Sequence, residues 1–76
     1  MQMNWQPAPK SWNAHAGTLY AANTSQGWHT EVEPVGKRWR WRFVMLGALP
    51  AVGESDGVES AKVAAEAAGR LLIGPA

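Results

Sequence analysis

Trp28-His29-Thr30-Glu31-Val32-Glu33-Pro34-Val35-Gly36-Lys37-Arg38-Trp39-Arg40-Trp41-Arg42-Phe43 is the stretch that decides the fold. Trp28, Thr30 and Val32 alternate with His29, Glu31 and Glu33. Beyond Pro34-Val35-Gly36-Lys37 the alternation resumes, with Arg38, Arg40 and Arg42 set between Trp39, Trp41 and Phe43. Both runs have the two-residue period of a half-buried strand, and a connection with Pro and Gly suits a turn.

A loop at 34–37, or a tighter one at 35–36, gives a single pairing. Val32 then faces Trp39, Thr30 faces Trp41 and Trp28 faces Phe43. On the other side Glu33 meets Arg38, Glu31 meets Arg40 and His29 meets Arg42. One face of the hairpin becomes apolar and aromatic and the other a ladder of opposite charges. A slip by one residue would exchange the faces and lose both.

Outward from the hairpin, Val44-Met45-Leu46 continues the second strand, so the hairpin spans 27–46. Gly47 to Pro50 turns the chain, and Ala51 to Ser55 reads as a short strand starting beside Pro50, which cannot donate to a ladder. A helix is expected over about 57–73, with Asp56 as N-cap, Glu59 in the first turn and Gly74-Pro75 as the stop. Val58, Ala61, Ala65, Ala68 and Leu72 share its inner face, and Gly69 weakens its last turns by about 1 kcal/mol relative to Ala. Before Gln26 lies an irregular arm, 1–26, with Pro7, Pro9, Asn13, Gly17 and Asn23. Ser11 is placed to cap a short helical turn ending near Gly17, and Thr18 to Ala22 to form a brief strand. Trp5, Trp12, Leu19 and Tyr20 argue that part of the arm packs on the body, because disordered segments are poor in aromatics. The expected architecture is α+β: a small antiparallel sheet of about three strands with the C-terminal helix across one face, in a 27–76 domain preceded by the arm.

Composition limits function. At 76 residues, with five Trp and no Cys, the chain has one small core and neither disulfides nor thiolate metal sites. Its net charge of +1 is low for a protein that holds nucleic acid mainly through phosphates. No apolar run is long enough for a membrane span or a signal peptide, which points to the cytoplasm. There is no Gly-x-Ser-x-Gly turn and no phosphate loop, and Asp56 is the only Asp. A chain this small is expected to lack room for a pocket of roughly 300 Å³ beside an intact core. His15 and His29 would need Glu31 or Glu33 to complete a metal site, yet residues in line along one strand face converge poorly. No catalytic residue, cofactor or metal is therefore expected.

The stretch from Arg42 through Leu72 resembles the second half of a double-stranded-RNA-binding domain. The likeness lies in a strand, Gly53 and Gly57 around a short segment, and then Ser60-Ala61-Lys62-Val63-Ala64-Ala65. It covers about thirty residues and implies a β-β-β-α layout. That family groups lysines at the helix start, whereas here Lys62 stands alone. The layout also looks like small hairpin-plus-helix domains of phage and prophage genes, many of which bind proteins.

Two functional readings follow. In the first, the chain is a non-enzymatic protein-binding or accessory module, with Trp5 and Trp12 as candidate partner anchors; self-association as a homodimer through an exposed strand edge is a variant of it. In the second, Lys37, Arg38, Arg40, Arg42 and Lys62 contact nucleic acid. The first is preferred, because alternation puts Arg and Trp on opposite faces, where they cannot grip one base together.

Overall fold

Five strands and one helix make up the computed structural model, which describes residues 3–74. The strands are β1 (Gln6–Pro7), β2 (Leu19–Asn23), β3 (Trp28–Val35), β4 (Arg38–Met45) and β5 (Ala51–Ser55), followed by α1 (Val58–Ile73). They form one antiparallel sheet in sequence order, β1 to β5. The α+β class with a C-terminal helix is the expected one. The sheet has five strands rather than about three because the stretch before Gln26 contributes β1 and β2. The expected strand at 18–22 lies at 19–23, and the expected helical turn is a 3-10 turn at Lys10–Trp12 that follows Pro9 and stops well short of Gly17.

The hairpin register differs from the expected one by two residues. Val35 pairs with Arg38, Val32 with Trp41, Thr30 with Phe43 and Trp28 with Met45. The turn residues are therefore Gly36 and Lys37. Gly36 has φ 62°, the positive value that the first position of a two-residue II′ turn requires and that Gly adopts without strain. A two-residue slip leaves every side chain on its face, so alternation alone cannot detect it.

One sheet face is dry. Val32, Thr30 and Phe43 are fully buried on it, joined by Trp28, Ala21 and Met3. Trp28 stacks on Phe43 with ring centroids 5.4 Å apart and donates its indole N–H to Gln26 at 2.9 Å. The Thr30 hydroxyl donates to the Arg42 carbonyl at 2.6 Å, which satisfies a polar group placed in the core.

α1 covers this face, packing chiefly on β4 and reaching β3 and β5. Ala61, Ala65 and Gly69 are its buried residues, with Ala68, Leu72 and Ile73 partly buried beside them. A Cβ on Gly69 would stand 2.8 Å from the Phe43 ring and 3.0 Å from the Met3 methyl. Gly69 is thus the point of closest approach between helix and sheet, and α1 continues past it to Ile73.

The N-cap is Gly57 rather than Asp56. Ser60 accepts from the Gly57 N–H at 3.3 Å and donates to the Gly57 carbonyl at 3.0 Å, closing the first turn. Asp56 instead points into solvent, 3.5 Å from Arg38.

Candidate functional site

The second face of the sheet has no helix over it. The pairing places Tyr20 and Ala22 of β2, His29, Glu31 and Glu33 of β3, Arg38, Arg40, Arg42 and Val44 of β4, and Val52 and Glu54 of β5 on this open side. The alternation that buries Trp28, Thr30 and Val32 delivers the intervening charges here.

The charges close on one another. Arg42 donates to Glu31 at 2.8 Å, Arg40 lies 3.6 Å from Glu33, and Arg38 lies 3.3 Å from Glu54 and 3.5 Å from Asp56. The pairs are one rung away from the expected ones, as the shifted register requires, and β5 supplies the carboxylate that Arg38 would otherwise lack. His29 meets Glu31 at 2.6 Å rather than facing Arg42, so Glu31 joins His29 to Arg42. Same-face neighbours on β3 do converge here, contrary to expectation. Even so, no three His, Asp or Glu side chains among the described residues gather as a metal site would need.

A groove of ≈ 370 Å³ runs along the ladder between Glu31, Glu33, Arg40, Arg42, Val52 and Glu54. It corrects the expectation that no such space fits. The groove lies on the solvent side of the sheet and takes nothing from the core.

The five cations proposed as nucleic-acid contacts do not share one surface. Arg38, Arg40 and Arg42 line the open face, each about half exposed and each closed on a carboxylate. Lys37 sits at the β3–β4 turn. Lys62 is on α1, across the sheet, 3.3 Å from Glu59. Each of the six carboxylates has a partner: five are in ion pairs and Glu66 accepts the Trp5 indole N–H at 3.0 Å.

The two arm tryptophans part company. Trp5 packs against the core cluster on the helix side, tied to Glu66. Trp12 is 46% exposed on the open side, its ring 4.8 Å from Tyr20 and 6.2 Å from His29. Tyr20 sits opposite Glu31, so the aromatic pair borders the charge ladder. Sequence reading missed Tyr20 as part of this surface; the signal available was its alternation with the inward-facing Leu19 and Ala21.

Comparison of the chain with family models, with curated proteins and with solved structures finds no match. Among the described residues, no helix is long and apolar enough to cross a membrane.

Proposed function

We propose that this chain is a non-enzymatic protein-binding module that presents the open face of its sheet, with Trp12 as the anchor. The carrying observation is the self-neutralised ladder bordered by a half-exposed indole on Tyr20. Paired charges offer little net field to attract a polyanion, but they give register and selectivity against a protein surface of complementary pattern. Trp is the residue most enriched among interface hot spots, and one already resting on Tyr20 has less freedom to lose on docking. Trp5 has no such role in this reading, because it completes the core.

The test is capture from native lysate with the wild-type chain and with Trp12→Ala, before and after nuclease. Support would be one protein retained after nuclease, bound at the open face by amide-shift mapping, and lost with Trp12→Ala. Capture that vanishes with nuclease would overturn the reading in favour of nucleic acid.

That second reading rests on one observation, the three half-exposed arginines on a single solvent-facing strand side, and on the resemblance of 42–72 to double-stranded-RNA-binding domains. Binding would require each arginine to leave its carboxylate. Titration with short RNA and DNA duplexes would then shift residues 37–42 at physiological salt, and affinity would fall steeply as salt rises. Charge reversal at Arg40 and Arg42 would abolish it with the fold intact.

A further inference from the structure

The two edges of the sheet are unlike. β1 is two residues long and includes Pro7, which blunts that edge. β5 offers five residues, Ala51 to Ser55, with no Pro and no Lys, and among the described residues nothing pairs with its outer side. Hydrophobic side chains cluster beside it: Val52 is 62% exposed, and Leu49 in the preceding loop 88%. An open edge of this kind is a template for another strand.

The helix side of this edge carries no charge. Glu66 holds Trp5 and Gly69 meets Met3, so that flank of α1 looks toward β1 and β2. At 3.6 residues per turn, Ser60, Ala64 and Leu71 fall on the opposite flank, toward β5. None is charged, and Leu71 is 85% exposed.

We infer that a second copy of this chain docks antiparallel on β5, about a two-fold axis through Gly53, to form a continuous ten-stranded sheet. Self-complementarity selects this occupant and this register. With the axis at Gly53, all five residues of β5 pair, and Val52 faces Glu54 of the partner subunit. The open-face row then reads Glu31, Arg42, Val52, the partner's Glu54, the partner's Arg40, the partner's Glu33, following the pairing within each copy. Within each row unlike charges stand side by side and no like charges are directly opposed; the two Glu54 carboxylates meet only diagonally across the axis, each 3.3 Å from the Arg38 of its own copy. An axis at Glu54 would oppose two carboxylates directly, and an axis at Val52 would set Glu54 against the partner's Pro50, which has no N–H to give.

Trp41 fits the same axis. A Cβ on Gly53 would stand 2.6 Å from the Trp41 ring, so the indole lies directly over the glycine through which the axis passes. α1 lies chiefly over β4, so strands about 4.8 Å apart put the two helices about 14 Å apart, beyond the 8–10 Å of direct helix packing. The two Trp41 rings, in one row on either side of the Gly53 pair, fill the space between the helices.

Sedimentation of Val52→Glu and Val52→Lys tests the inference. In one copy, position 52 lies opposite Arg42, so Val52→Glu suits the isolated fold. Across the axis it opposes Glu54 of the partner subunit twice, whereas Val52→Lys attracts it twice. Wild type and Val52→Lys should sediment at twice the 8.2 kDa chain mass. Val52→Glu should sediment at half that dimer mass, with unchanged circular dichroism and with β5 amides that exchange faster. A monomeric wild type, or two variants that behave alike, would overturn the proposal.

Discussion

The two faces of this sheet are made by the same alternating strands, yet they do different work. The helix side gathers Phe43, Val32 and Thr30 at zero exposure, whereas every ion pair of the open side keeps at least one partner in contact with water. Apolar burial is worth about 25 cal/mol per Å², while exposed ion pairs have a median contribution of about 0–1 kcal/mol. Stability therefore belongs to the helix side. The open side can vary its chemistry at small cost to the fold.

The sharpest break of this comparison is Phe43→Ala. Phe43 is fully buried, stacks on Trp28 and meets α1 at Gly69. Removing it should cost about 3–5 kcal/mol, a large fraction of the stability of a 76-residue domain. Denaturant titration should show a collapsed midpoint or no folded baseline. A loss below about 1.5 kcal/mol, the range of a tolerated core swap, would mean that the helix side is not the seat of stability.

Gly69→Ala tests the same face by sign. Helix propensity alone predicts a gain of about 1 kcal/mol. The new Cβ, 2.8 Å from the Phe43 ring, predicts a loss of about 1–3 kcal/mol through overpacking. Ring and backbone are both fixed in the core, so the loss should win, and a lowered thermal midpoint is expected. A raised midpoint would show that α1 can lift off the sheet without penalty.

These two residues also show what was legible in the sequence. The period-2 alternation assigned faces correctly throughout β3 and β4, since burial of one side is what selects that pattern. It could not see the register, because a two-residue slip preserves every face; the turn position of Gly36 settled it through backbone conformation. Gly69 looked like a weak point because propensity is local, whereas its use is a tertiary contact with Phe43. β1 carries no pattern at all in two residues, one of them Pro. On the open face, the arginine ladder was readable, but its partners moved with the register, and the carboxylate on Glu54 came from a strand whose pairing only the fold reveals. Trp5 and Trp12 have the same side chain, so only the path of the arm could separate a core residue from an exposed one.

Trp12→Ala moves the test to the open side. The ring is half exposed and its main partner is Tyr20 at 4.8 Å. An aromatic pair contributes about 0.5–1.5 kcal/mol beyond its area, so the midpoint should fall slightly while partner capture is lost. Trp5→Phe on the other face should invert that outcome. It removes the N–H that Glu66 accepts and leaves a half-buried carboxylate short of a donor, at roughly 1–3 kcal/mol, with partner capture unchanged.

The smallest expected effect decides the most about the open face. Glu31 and Arg42 make its shortest ion pair between residues of opposite fixed charge, at 2.8 Å, with the Arg42 side chain about half exposed. A double-mutant cycle with Glu31→Gln and Arg42→Met should return a coupling of about 0.2–1 kcal/mol, shrinking in molar salt, as solvent screening requires. Glu31 also meets His29, so Glu31→Gln alone disturbs two contacts, and the cycle is needed to isolate one. A coupling of about 3 kcal/mol, the range seen for buried pairs, would make the ladder part of what holds the sheet together. The open face would then be tied to the fold as firmly as the core, and reversing its charges could not test binding separately from folding.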